Sequence, residues 1–307
     1  MSDDAPRRIS RSITPLSTPA VDLGSTLRFP LKPDALTALV RTALDEDQAQ
    51  QDITSIATIV KEARTRARLV ARAPGVLSGV ALAIEAFRQL DPKVTVRVDA
   101  EDGTPLARGT SVLFVSGHAR GILGAERVAL NYLQRLSGVA SLTAKYVEAV
   151  QGTGAKILDT RKTTPGWRHL EKYAVRCGGG TNHRMDLAAA VLIKDNHLAA
   201  LNGDVRAAVD RARAIASAGT TVEIECDTLE QVDAAVAARA GIVLLDNMSL
   251  DQLREAVQRI GGRAKTEASG GVRLDTVRAI AETGVDYVSV GALTHSAPAL
   301  DLALDFE

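Results

Sequence analysis

Apolar positions follow two different periods along this chain, and the change between them divides it into two parts. Residues 33–45 (PDALTALVRTALD) place Leu36, Leu39, Val40, Ala43 and Leu44 on one helical stripe, with Pro33 in the first turn. From Arg66 to Ser116 the pattern turns to alternation and short apolar runs. RARLVAR, VTVRVDA and SVLFVSG read as strands, a short helix falls near 80–90, and DGTPLARG makes the turn between the last two strands. Residues 120–150 read as two helices, broken near Ser137-Gly138.

Beyond Gly154 a regular alternation sets in. Strand-like runs occur at AKILD (155–159), AVLIKD (190–195), TVEIEC (221–226), GIVLLD (241–246), AKTEAS (264–269) and DYVSVG (286–291). Helical patterns at 204–218, 228–239, 249–260 and 273–283 precede the last four in turn. Those four strands begin about 22 residues apart, the length of one strand and one crossover helix. Repeated βα units of this kind build a parallel sheet, and six of them most simply curl into an α/β barrel. An open doubly wound sheet is the alternative. No glycine-rich nucleotide loop follows the first strand, which argues against a dinucleotide-binding version.

Composition changes this picture little. Of 307 residues, 46% are hydrophobic and 24% charged, ordinary for a folded domain. Aromatics are only 3%, so Ala, Val, Leu and Ile must fill the core. The 37 basic and 37 acidic residues cancel, which disfavours non-specific binding to nucleic acid or an anionic membrane. No apolar run is long enough to span a membrane. Cys177 and Cys226 form no CxxC pair, which speaks against a zinc or thioredoxin-type site and fits reduced thiols in the cytoplasm. Residues 1–25 are polar, lack the apolar centre of a signal peptide and are expected to be a disordered tail.

In an α/β barrel the working residues lie at the C-terminal ends of the strands. Here those ends read Asp159-Thr160-Arg161-Lys162, Lys194-Asp195-Asn196-His197, Glu223 and Glu225, Asp246-Asn247, Ser269-Gly270-Gly271 and Gly291. Arg161, Lys162, His183, Arg184 and Lys194 cluster in one stretch without helical spacing. Lys162 and Lys194 adjoin apolar strands, where an unpaired cation is costly, and convergence on an anionic ligand would answer that cost. Arg168, Lys172 and Arg176 read as a solvated charged face. The run Gly178-Gly179-Gly180 serves either close backbone approach to a ligand or a tight turn. Ser269-Gly270-Gly271 precedes a helix expected to start near Arg273, and backbone N–H groups there suit a phosphate, completed by Gly291. Glu225 and Asp246 could act as an acid/base pair, accept hydrogen bonds from sugar hydroxyls, or bind magnesium; the last two suit a site with phosphate and cations.

These residues resemble quinolinate phosphoribosyltransferase. The resemblance rests on DTRKTTPGWRHLEKYAVRCGGGTNHR, LIKDNH, EIECDTLEQ, LLDN, EASGG and VGALTHS, and upstream on GILGAERVALNYLQRLSGVA and Gln51-Asp52-Ile53-Thr54. It implies an incomplete α/β barrel (residues 137–292) with an N-terminal α/β sandwich (26–136), against which 293–307 can pack. It implies transfer of phosphoribose from 5-phosphoribosyl-1-pyrophosphate to quinolinate with loss of carbon dioxide, and a requirement for Mg2+. By the same resemblance, Arg161, Arg184 and Lys162 hold the quinolinate carboxylates, with Thr160 and His183 beside them, and Lys194 faces the anionic substrates. Glu225 and Asp246 contact ribose hydroxyls or the magnesium-bound pyrophosphate, and Ser269, Gly270, Gly271 and Gly291 hold the 5-phosphate. Arg127 is implied to enter the neighbouring site of a homodimer. Trp167, Met185-Asp186 and Ala188-Ala189 depart from the family's usual residues, which puts the packing of the cationic loop in question. Two other readings remain: a molybdenum-operon paralogue with another substrate, and a barrel lyase forming a Schiff base on Lys194.

Overall fold

The computed structural model describes residues 27–217 and 219–307, so the tail expected over 1–25 lies outside the described residues. The first part of the chain runs α1 (Pro33–Glu46), α2 (Ile53–Thr58), β1 (Arg64–Ala71), β2 (Gly75–Val76), α3 (Val80–Leu90), β3 (Thr95–Val98), β4 (Pro105–Leu106), β5 (Ser111–His118) and α4 (Ala119–Ala149). The second runs β6 (Lys156–Leu158), α5 (Arg168–Cys177), β7 (Val191–Ile193), α6 (Asp195–Ala199), α7 (Val205–Ile215), β8 (Val222–Cys226), α8 (Leu229–Ala237) and β9 (Ile242–Asp246). It continues through α9 (Leu250–Ile260), β10 (Lys265–Ser269), α10 (Val277–Ala281), β11 (Tyr287–Ser289), α11 (Ala292–His295) and β12 (Leu302–Phe306).

The first part forms an antiparallel sheet in the order β12-β1-β5-β3. Period-two alternation decides its faces: Ala67, Leu69 and Ala71 of β1 are buried, whereas Arg64, Arg66 and Arg68 are not. On the polar face Arg68 and Arg97 lie over the Phe114 ring, 5.7 and 4.9 Å from its centroid. β12 returns from the far end of the chain to pair with β1, from Ala67↔Phe306 to Ala71↔Leu302.

α4 is one continuous helix, so the break expected at Ser137-Gly138 does not occur. These two small residues serve packing instead. Ser137 is fully buried and its Oγ accepts the Ser78 N–H at 2.9 Å. A Cβ at Gly138 would lie 2.1 Å from the carbonyl oxygen of Pro298. The mid-helix glycine costs about 1 kcal/mol of helix propensity and lets the C-terminal segment lie against the helix.

The second sheet is parallel, in the order β6-β11-β10-β9-β8-β7. β6 and β7 are its two edges, which leaves the barrel incomplete. Outward residues such as Ile224, Val243, Leu245 and Val288 are buried. α8 and α9 start just beyond their strands because Thr228 and Ser249 cap them, each in a reciprocal box with Gln231 or Gln252. Two expected elements are shorter than the apolar pattern implied. The strand read through Asp195 stops at Ile193, because the Lys194 N–H donates to His197 Nδ1 (2.9 Å) as α6 begins. The helix expected over 273–283 is only Val277–Ala281. Thr276 Oγ1 takes the Arg273 N–H (3.1 Å) and donates to its carbonyl, holding 273–276 as a turn.

Candidate active site

A cavity of about 890 Å3 opens at the C-terminal ends of the barrel strands. Its walls follow from strand geometry: in parallel strands every second residue faces inward, in layers. The rim takes Thr160 beyond β6, Lys194 beyond β7, Glu225 of β8, Asp246 of β9, Ser269 of β10 and Gly291 beyond β11. Leu192, Leu244, Glu267 and Ser289, two residues earlier on their strands, line it more deeply. Arg161, Lys162, His183, Arg184, Gly270 and Gly271 complete the expected set within the same cavity. Arg127 does not join it: it is exposed on α4 and does not line the cavity of its own chain.

The rim is positive and largely unanswered. Among the described residues, Arg161, Lys162 and Arg184 take part in no salt bridge. The buried Arg161 Nε has no hydrogen-bond acceptor, a costly state that an incoming carboxylate or phosphate would relieve. Burial, and then the charge of Arg161 beside it, pull the Arg184 guanidinium down from its usual range. Lys194 differs from the expectation of an unpaired cation. β7 and β8 pair with Ile193 opposite Ile224, which sets Lys194 beside Glu225, and the two form an ion pair.

The loops are held by buried polar contacts. Lys172, read from the sequence as part of a solvated face, is fully buried and ion-paired to Asp159. α5 turns this residue inward onto the strand end. Asp159 also accepts from the His183 backbone N–H (2.9 Å) and from Asn182 Nδ2, and Lys172 Nζ donates to the His183 carbonyl (3.0 Å). Burial pushes the Asp159 carboxyl up and the Lys172 amine down, while their mutual attraction opposes both. Arg168 is half-buried and ties two loops, donating to Thr163 Oγ1 (3.1 Å) and the Met185 carbonyl (3.3 Å). Arg176 lies over the Tyr173 ring, 5.4 Å from its centroid. The departing residue Trp167 stacks on Tyr132 at 5.1 Å. The glycine run serves close packing: a Cβ at Gly178 would lie 2.3 Å from the Ala140 carbonyl oxygen of α4.

The turn expected to hold a phosphate, Ser269-Gly270-Gly271, does not rest on a helix N-terminus, since α10 begins beyond it. Gly270 has φ +96°, and a Cβ there would meet Asn247 Oδ1 at 2.2 Å, so only glycine lets this turn close on the end of β9. His295, absent from the expected set, lines the same end of the cavity; its Nε2 lies 3.1 Å and Lys162 Cδ 3.2 Å from where a Cβ of Gly291 would stand.

On the floor, His183 was an expected site residue and Glu223 stood among the strand-end residues, but Glu267 and the contact among the three were missed. His183 Nε2 lies 3.2 Å from Glu223 Oε2 and 3.7 Å from Glu267 Oε2. Its Nδ1 accepts the Arg184 N–H at 2.7 Å, so the neutral ring carries its proton on Nε2. Burial lowers the His183 pKa, but the hydrogen bond to Glu223 and both carboxylate charges outweigh it and raise it overall. Burial, and then the charge of Glu223, push Glu267 up to about 8, and Ser289 Oγ holds its other oxygen. The signal was present in the sequence: Glu223 sits two residues before Glu225 and Glu267 two before Ser269, both on the inward face.

An anion-handling enzyme built on an α/β barrel is the class that this fold and cavity define. The chain belongs to the quinolinate phosphoribosyl transferase family: its C-terminal domain matches residues 139–305 and its N-terminal domain residues 52–137. A carboxylating nicotinate-nucleotide pyrophosphorylase of Mycobacterium leprae is 46% identical over 282 residues, covering 89% of this chain and 97% of that protein. A probable enzyme of the same name from Bacillus subtilis is 42% identical, covering 85% and 89%. The solved nicotinate-nucleotide pyrophosphorylase of Francisella tularensis superposes with a TM-score of 0.85 at 39% identity, over 91% of this chain and 99% of that one. Among the described residues, no helix is long and apolar enough to cross a membrane.

Proposed function

We propose that this chain joins quinolinate to 5-phosphoribosyl-1-pyrophosphate, releasing pyrophosphate and carbon dioxide and leaving nicotinate mononucleotide. Family membership supports the reaction. The observation that carries the substrate assignment is the set of three rim cations without carboxylate partners, one with a buried N–H lacking an acceptor. A pyridine with two adjacent carboxylates answers them. Arg161 and Arg184 are the forks for those carboxylates, and Lys162, beside Gly291 and His295, bridges toward the phosphoribosyl side. Ser269, Gly270, Gly271 and Gly291 form the cradle for the 5-phosphate.

Magnesium fits the donor set of Glu225 and Asp246, two oxygen ligands on adjacent strand ends. When bound, it neutralises charge on the pyrophosphate leaving group. Lys194, tied to Glu225, adds a cation on the same side. The pyridine nitrogen bonds to the ribose C1 as the bond to pyrophosphate breaks, and orientation by the rim supplies much of the rate. The ring nitrogen is then cationic. It stabilises the electron pair left on the adjacent ring carbon when the 2-carboxylate departs as carbon dioxide, and that carbon takes up a proton. The pocket therefore holds the 2-carboxylate without burying it in a closed pair.

Arg127 is assigned to a partner's site in a homodimer, a reading consistent with its being exposed and outside its own cavity. Mixing inactive Arg127→Ala and Lys162→Ala chains should restore activity if the protein is a homodimer with shared sites; mixed dimers without activity would contradict this. The buried cysteines fit a cytoplasmic location. A Schiff-base lyase is disfavoured because Lys194 is already ion-paired to Glu225. The deciding assay is formation of nicotinate mononucleotide and carbon dioxide from quinolinate, 5-phosphoribosyl-1-pyrophosphate and magnesium. Absence of both products would reject the assignment and favour a paralogue with another substrate.

A further inference from the structure

β6 and β11 are neighbours, with Leu158 opposite Ser289, so the loops that leave them start side by side. One loop carries Arg161 and Lys162; the other carries Gly291, Thr294 and His295. A set of polar contacts joins the two from behind the cavity. Arg135 of α4 pairs with Glu171 of α5 at 2.9 Å, and Glu171 is fully buried. Glu171 accepts the Thr164 N–H (3.0 Å) and the Thr164 hydroxyl (2.9 Å), which fixes the far end of the cationic loop. Arg135 donates to the carbonyls of Ala297 (2.9 Å) and Thr294, beyond β11. The fully buried Thr294 closes the circuit. Its hydroxyl donates to the Lys162 carbonyl at 2.8 Å, with the Gly291 carbonyl alongside at 3.3 Å.

A buried ion pair adds little net stability over an apolar pair of the same size, so packing alone does not account for this one. Lys162 shows what the brace supplies. It is exposed, and its ammonium sits on a flexible four-carbon stem, so its direction depends on how its backbone is held. The stem lies along Gly291: its Cδ is 3.2 Å from where a Cβ of that glycine would stand. Thr294 touches the backbone of both partners in that contact.

We propose that Arg135, Glu171 and Thr294 are positioning residues that lock the loop after β6 to the loop after β11, so that Lys162 carries its charge toward the Gly291 end of the cavity and meets a phosphate of the sugar donor. The inference rests on the proposed phosphoribosyl transfer for that donor alone, and not on quinolinate.

Equilibrium binding of 5-phosphoribosyl-1-pyrophosphate with magnesium, followed by titration calorimetry, tests it without the pyridine. Thr294→Val keeps the shape and removes the hydroxyl, and should weaken Kd about three- to tenfold, the loss of one hydrogen bond. Thr294→Ser restores the donor group and should stay within about twofold of the unaltered chain. Arg135→Lys keeps a charge beside Glu171 but loses the fork that spans two carbonyls, and should weaken Kd by about the same factor as Thr294→Val. A double-mutant cycle then separates aiming from general loosening. In a Lys162→Ala background both losses should shrink below about twofold, because no ammonium is left to aim. In an Arg184→Ala background both should keep their full size. Undiminished losses in the Lys162→Ala chain, a Ser variant as weak as the Val variant, or a Val variant that binds like the unaltered chain would each overturn the proposal. Should Thr294→Val not fold, Arg135→Lys carries the same cycle. A chain that shows the expected cycle yet turns over no quinolinate would support the brace and reject the pyridine assignment; an unaltered chain that does not bind the donor would overturn both.

Discussion

At the rim of the cavity, Arg161, Lys162 and Arg184 have no carboxylate partner among the described residues; at its floor, His183, Glu223 and Glu267 are in mutual contact, and Lys172 is paired to Asp159 behind the loop. Both regions place charge next to an apolar barrel. The rim leaves it open to an anionic ligand, whereas on the floor the imidazole and the two carboxyl groups largely answer one another, even though His183 and Glu267 also line the cavity. Loss of a rim cation should therefore reduce function and spare the fold. Loss of a floor or loop partner should reduce stability, because it strands a buried charge.

The largest expected effect is at Arg161. Arg161→Ala should lower kcat/KM for quinolinate by roughly 100- to 1,000-fold, in line with loss of a desolvated charged hydrogen-bond pair. Its thermal midpoint should not fall, since the substitution removes repulsion with Arg184. Activity near the original level, or a collapse of the fold in circular dichroism, would break the contrast. Next is Lys172→Met, which leaves Asp159 buried without its cation and should destabilise the chain by about 3–5 kcal/mol in urea unfolding. If it proved as stable as the unaltered chain, the pair would not be what holds the loop.

The smallest effect sharpens the description of the floor. Burial, and then the charge of Glu223, push Glu267 up to about 8 from an ordinary value of 4.5. Between those values the folded state binds more protons than the unfolded state, so stability from this group is present at low pH and is lost as pH rises toward 8. Glu267→Gln removes that slope. From pH 5 to 8 the unaltered chain should lose more stability than the variant, measured by denaturant midpoints at each pH. Parallel curves would show that Glu267 is ionised throughout.

The same contrast explains what the sequence could reveal. Rim residues follow apolar runs and stand out as charged strand ends, so Arg161, Lys194, Glu225 and Asp246 were legible from spacing alone. Floor residues are hidden inside those runs. Glu223 and Glu267 gain meaning only from a third residue, His183, that arrives from a loop after β6. Lys172 looked like surface charge because α5 carries charged residues on several sides, and only its packing against β6 turns one of them inward. The βα alternation was readable because caps and crossover lengths are local properties. The continuity of α4 through Ser137-Gly138 was not, because the Pro298 segment that demands small residues there lies in the last part of the chain.

Whether Arg161, Lys162 and Arg184 together select a dicarboxylate is read from kcat/KM for pyridine-2,3-dicarboxylate and pyridine-3-carboxylate at saturating 5-phosphoribosyl-1-pyrophosphate and magnesium. A site built to bond the second carboxylate should prefer the dicarboxylate by about 10,000-fold, since the monocarboxylate leaves those cations unanswered. Comparable turnover of the two would contradict the account.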